Sequence, residues 1–211
     1  MNRDEVWQTI DEQRTSQADL LDDLSAEEWQ QPSLCDGWRV RDVAAHLTLA
    51  QVAALTAAVA LVRARGSFHR MVRDTAVRQA RLPVEEYAVR LRAMVGSRRK
   101  APGVTHLEPL LDVLVHGQDI AIPLARPRPM PAHAAAAAAT RAWGMGWPFH
   151  AERRLSGLRL VATDHPWSVG QGRTVEGPIA ALLLLVTGRP AAVTQLSGAA
   201  AGELTQRLSG G

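Results

Sequence analysis

The sequence predicts a mainly α-helical protein with a small α+β unit at its C-terminal end. Three observations carry that reading. Apolar residues recur at helical spacing through the first 122 residues. A proline-rich break follows, with Pro123 just ahead of "LARPRPMPAH". Strand-like alternation, as in "GLRLVATD", comes only after the break. The expected domains are 1–126, a four-helix bundle, and 131–211, the α+β unit.

Taken in order, Val6, Ile10, Ala18, Leu21 and Leu24 mark a first helix over 2–23. Ser25-Ala26-Glu27-Glu28 has a capping-box pattern and opens a short helix. "QPSLCDG" is a loop built on Pro32, Ser33, Asp36 and Gly37. A long helix is expected from about 39 to 65, stopping at Gly66. A third helical region spans 68–98, broken near Leu82-Pro83, where proline suits the first turn of a new helix. The fourth helix covers 107–122 and ends before Pro123. Beyond the break, 131–147 is an alanine-rich helix. "GLRLVATD" is a strand, and "PWSVGQGRTVEG" reads as two short strands about a turn. Pro178 to Val186 is an apolar helix ending at Gly188, and "GELTQRLSG" a last short one.

Bulk properties narrow the function classes. The 211 residues suffice for a real core, and 46% apolar content is that of a globular chain. The formal net charge is only +3. The most basic stretch, with Arg63, Arg65, Arg70, Arg73, Arg78, Arg81 and His69, is diluted by acidic and apolar neighbours. It reads as a solvated face, not a nucleic-acid stripe. A single cysteine, Cys35, rules out an internal disulfide and any multi-cysteine metal site. The charged N-terminus lacks the apolar stretch of a signal peptide. The longest apolar run, Leu47 to Val62, is short of a membrane span and carries Thr48, Gln51 and Thr56. A cytoplasmic protein without membrane association is expected, its oligomeric state open.

The chemistry concentrates in two stretches. "WRVRDVAAHL" places His46 within an apolar helical run, and "LLDVLVHGQDI" places Asp112 and His116 four apart, on one helical face. Facing helices of a bundle can bring such groups together in the core. Two imidazoles and a carboxylate suit a divalent transition metal with positions left for water or substrate. The alternative is a core histidine satisfied by hydrogen bonds. Asp42 is also four residues from His46, so two Asp-x-x-x-His pairs exist and two metals are conceivable. A simpler reading has Asp42 accepting an imidazole N–H behind the metal. Asp119, three after His116, is expected to do the same or to pair with an arginine. His106 is a substitute ligand at best, and His133, His150 and His165 fall in loop-like settings. Cys35 lies in a loop before the His46 helix; a nucleophile is the alternative there, but with no placed base it reads as incidental. No phosphate loop, Ser-His-Asp order or His-Glu-x-x-His pattern is present.

"LCDGWRVRDVAAHL", "LLDVLVHGQDIAIPL", "GLRLVATDHPWSVGQG" and "GPIAALLLLVTGRP" follow one another in this order. Together they resemble the mycothiol-dependent maleylpyruvate isomerase family of actinobacteria, within the DinB-like superfamily. The resemblance spans nearly the whole chain. It implies a DinB-like, metal-binding four-helix bundle followed by an SCP2-like C-terminal unit. It implies metal ligands at His46, Asp112 and His116, with zinc the first candidate and nickel, iron or manganese the others. The family carries Glu where this chain has Asp112. A side chain one methylene shorter must then be brought in by a helix shift or bridged by water. Mycothiol is implied as thiol cosubstrate, adding to a small electrophile and then leaving (isomerase) or staying (transferase). Arg189 matches a family arginine and is the expected clamp for a substrate carboxylate. An ordinary cation at a helix C-terminus is the alternative for Arg189. Trp38 is expected to pack the loop against the bundle. The Glu-to-Asp departure keeps a second reading open, a non-catalytic metal-binding or regulatory protein.

Overall fold

The computed structural model describes residues 1–51, 68–100 and 103–209, with side chains from 74 onward in the second stretch and up to 208 in the third. The chain divides into two compact units, Asn2–Arg128 and Pro129–Gly211, with Met1 grouped with the latter.

The N-terminal unit is helical. Helix α1 (Arg3–Asp22) starts at a capping box: the Asn2 side chain accepts the amides of Asp4 and Glu5, and Glu5 accepts that of Asn2. Its apolar face buries Val6, Trp7, Ile10, Ala18 and Leu21. That face also carries buried Gln13, Arg14 and Gln17, so the helix brings polar groups into the interior. A short 3₁₀ turn (Glu28–Gln30) buries Trp29, which packs on Tyr87.

Helix α2 (Val40–Leu47) is much shorter than the periodicity predicts. Thr48 ends it by donating its hydroxyl to the Ala45 carbonyl, while Leu49 N–H turns to the His46 carbonyl in a tighter i+3 bond. The rest of the expected long helix, residues 52–65, and its stop at Gly66 lie outside the described residues. So do Arg63 and Arg65, and the side chains of His69, Arg70 and Arg73. Arg78 and Arg81 are exposed.

Helix α3 (Phe68–Gln79) and helix α4 (Glu85–Ala93) flank the expected break at Pro83. Helix α5 (Leu107–Ala121) is buried along most of its length. α1 packs on α4 and α5, and α2 on α3, α4 and α5. Ile120 of α5 joins a core cluster drawn mainly from α1, α2 and α4.

One close approach fixes the α1–α5 seam. A methyl group at Gly117 would stand 2.7 Å from Arg128 Nε and 3.0 Å from Gln17 Oε1. Only glycine leaves room for the Arg128 side chain, which runs back to donate to Ser16 Oγ and to the backbone and side-chain oxygens of Gln13. Burial holds this guanidinium down at about 10.

The C-terminal unit has helix α6 (Ala132–Gly144), a one-turn helix α7 (Ala151–Arg154) and strands β1 (Leu158–Ala162), β2 (Ser168–Gly170) and β3 (Arg173–Gly177). Helix α8 (Ile179–Val186), a 3₁₀ segment (Pro190–Gln195) and helix α9 (Ala201–Ser209) complete it. α7 was not anticipated by the periodicity. The two strands about the turn do not pair with each other. Both flank β1, β2 antiparallel and β3 parallel, giving the order β2-β1-β3. The crossing is tight: a Cβ at Gly172 would meet the Gly157 carbonyl oxygen at 2.1 Å, and Gly172 holds φ +120°. Asp164 caps α8 by accepting the Ile179 amide at 2.8 Å. The alanine face of α6 packs on α8, which is buried from Ile179 to Val186 apart from Ala180.

Candidate metal centre

His46 comes from the last turn of α2, and Asp112 and His116 from successive turns of α5. Packing of α2 on α5 brings the three together. Asp112 Oδ1 lies 3.3 Å from His46 Nε2 and 3.5 Å from His116 Nε2. The two imidazoles meet edge to face, their centroids 4.8 Å apart. The three side chains keep 21%, 27% and 18% of their surface, so the cluster is recessed yet reachable.

These separations allow a test of fit. Two ligand atoms each about 2.0–2.1 Å from a tetrahedral zinc stand about 3.3–3.4 Å apart. A direct N–H···O hydrogen bond centres on about 2.9–3.0 Å. The observed 3.3 and 3.5 Å are compatible with two edges of such a tetrahedron. The donor set, two imidazoles and one carboxylate, fits the same kind of ion. Asp112 reaches this distance with its own oxygen despite its shorter stem.

Burial is the largest single influence on the Asp112 carboxyl and pushes it up. The hydrogen bond with His46, and the charges of His46, His116 and Arg14, together outweigh burial and hold it below its ordinary value. Arg14 is itself buried, donating to the Met94 carbonyl at 2.9 Å, and desolvation lowers it.

Behind His116 stands Asp119, fully buried, with Oδ2 2.8 Å from His116 Nδ1. A carboxylate there accepts Nδ1–H and leaves the Nε2 lone pair facing Asp112 and His46. Asp42 does not play the matching part for His46. Its Oδ2 accepts the Arg39 amide at 2.9 Å and approaches Arg39 Nε at 3.4 Å. Three residues after the N-cap, an Asp satisfies the helix's own orphan amides first. That disposes of the paired Asp-x-x-x-His reading.

The loop before α2 supplies contacts that sequence reasoning set aside. Cys35 Sγ is 3.1 Å from Asp119 Oδ2 and 3.6 Å from His116 Nδ1. Trp38 meets His46 edge to face at 5.5 Å. So Cys35 is not incidental in position, and Trp38 touches a site histidine as well as packing the loop. No local period could have marked either one. The one available signal was Pro123. It has no N–H for the Asp119 carbonyl four residues back, and Leu34 N–H takes that carbonyl at 3.1 Å instead.

The other histidines stand apart. His106 is the N-cap of α5 and belongs to neither metal-capable cluster among the described residues. His133 is exposed on the first turn of α6, His150 precedes α7 at φ +46°, and His165 sits between β1 and β2. Arg189 lies in the C-terminal unit, just past α8, and donates to the Thr187 carbonyl at 2.7 Å. Arg154, lowered mainly by burial and further by the charge of Arg189, donates to the Leu185 carbonyl nearby. No described helix is long and apolar enough to cross a membrane.

Residues 10–108 match the family model described as the mycothiol maleylpyruvate isomerase N-terminal domain. The match includes His46 and stops short of Asp112. In fold, the chain is similar to the crystal structure of the mycothiol-dependent maleylpyruvate isomerase. That comparison has TM-score 0.63 and 14% identity, and covers 95% of this chain and 94% of that one. A histidine-to-alanine mutant of the same enzyme gives TM-score 0.59 and 13% identity over the same shares. No curated protein matches in sequence.

Proposed function

We propose that this chain, a member of the mycothiol maleylpyruvate isomerase family through its N-terminal domain, is a metal- and thiol-dependent enzyme that isomerises a small electrophile or transfers a thiol to it. One observation carries the reading: a single carboxylate oxygen within 3.3 and 3.5 Å of two imidazole nitrogens from different helices. In this reading His46, Asp112 and His116 hold one divalent ion, zinc first, with nickel, iron and manganese as alternatives.

A divalent cation held there would stabilise the deprotonated form of a thiol cosubstrate such as mycothiol near neutral pH. The residues prepare for that. Two neutral imidazoles and one carboxylate would contribute a single negative charge, so a divalent ion held by them would keep the positive charge that favours a deprotonated thiol. Asp119 holds His116 in the tautomer that presents Nε2, and Asp112, kept ionised, needs no proton removed before it binds. Arg189, in the C-terminal unit, is a guanidinium of the kind that would grip a carboxylate with two parallel N–H bonds. The reading suits the cytoplasm, where low-molecular-weight thiols stay reduced.

The test is metal analysis of protein purified without chelators, followed by conjugation or isomerisation of carboxylate-bearing electrophiles with mycothiol. About one divalent ion per chain is expected. Zinc at about 100 times its Kd should stabilise the fold by about 2.7 kcal/mol. No retained metal and no stabilisation by added zinc would remove the proposal. Metal bound without any thiol chemistry would favour a non-catalytic, metal-binding role.

A further inference from the structure

Cys35, Asp119 and His116 form a second cluster directly behind the first. Its dimensions suit protons and not a cation. Asp119 Oδ2 and His116 Nδ1 are 2.8 Å apart, hydrogen-bond distance and well inside the roughly 3.3–3.4 Å edge between two ligands of one tetrahedral ion. The same Oδ2 receives the Cys35 thiol at 3.1 Å. Cys35 is held from its own side. Ser33 Oγ accepts the Cys35 amide at 3.1 Å and donates to the Trp38 carbonyl at 2.9 Å, and Trp38 N–H returns to the Cys35 carbonyl at 2.9 Å. Leu34 N–H on the Asp119 carbonyl ties this loop to α5.

We propose that Cys35 is a positioning residue: its S–H donates to Asp119 Oδ2, holding the carboxylate so that this oxygen accepts His116 Nδ1–H and His116 presents Nε2. The thiol is two bonds removed from the metal position and takes no part in the chemistry. A buried carboxylate with a second donor has one orientation. Removing that donor weakens the hold on this oxygen, and with it the contact that favours one imidazole tautomer. For its effect on metal the inference rests on the metal-site reading above; for the tautomer it does not.

The experiment compares wild type, Cys35→Ser and Cys35→Ala, with Cys35→Val as the alternative apolar variant should Ala fail to fold. Ring ¹⁵N shifts of His116 are recorded on metal-free protein, and zinc Kd is measured by chelator competition. In wild type His116 Nδ1 should carry a proton, directed at Asp119. Cys35→Ala should shift the His116 nitrogens toward a mixture and weaken zinc by about three- to tenfold, below the 10–100-fold typical of a direct outer partner. Cys35→Ser, which keeps an O–H donor, should recover most of both. Equal behaviour of wild type and Cys35→Ala overturns the proposal. So does equal loss in Ser and Ala, since that would be packing and not donation. A tautomer shift in Cys35→Ala, with a wild type that binds no zinc, supports the positioning role while removing the metal reading.

Discussion

The two histidines of the site are held in different ways. His116 rises from the middle of a fifteen-residue buried helix, with a fully buried carboxylate and a thiol behind it. His46 is the penultimate residue of an eight-residue helix. Among the described residues its ring meets Asp112, Trp38 and His116, and its own helix's Asp is occupied by the cap. The difference teaches that one histidine of a pair can be backed by a buried carboxylate while the other, among the described residues, is set by Asp112 and two neighbouring rings. Asp112, shared between them, is the hinge of that asymmetry.

The largest effect should come from removing either imidazole. His46→Ala and His116→Ala should each weaken zinc by more than the roughly 100-fold upper range for outer partners, read by chelator competition. If His46→Ala alone retained affinity, His46 would not be a ligand at all. Next, Asp119→Asn should cost about 10–100-fold in zinc affinity by loosening only the His116 side. An unchanged Kd would erase the contrast. Gly117→Ala should lower stability by about 1–3 kcal/mol, seen as a fall in Tm, because the new methyl displaces Arg128 and Gln17 at the α1–α5 seam. On the other side, Asp42→Ala should cost about 1 kcal/mol through loss of the α2 cap. Its zinc affinity should move less than in Asp119→Asn, since Asp42 touches neither imidazole.

Parts of this were readable from residues alone. The four-residue spacing of Asp112 and His116 lies on one regular helix, so period translates directly into a shared face. Bringing His46 to them took bundle packing, which sequence pattern can propose but not measure. Asp42 misled because the same spacing was applied at a helix start, where capping competes for the carboxylate. Cys35 and Trp38 were underread because their partners lie across a loop, Asp119 being 84 positions away from Cys35. The end of α2 at Leu47 was hidden by continued apolar periodicity, which says nothing of a threonine hydroxyl turning back on its own backbone. The flanking of β1 by both later strands had no signature beyond the glycines that permit the crossing.

The missing side chain at Gly117 has an evolutionary corollary. Positions 117 and 128 occupy one space, so inheritance at the two should be coupled. Relatives bearing alanine or serine at the first should carry a short residue at the second, and those keeping a long basic residue there should keep the bare backbone beside the histidine. A set of related sequences in which these positions drift independently would mean that the seam is built differently elsewhere in the lineage.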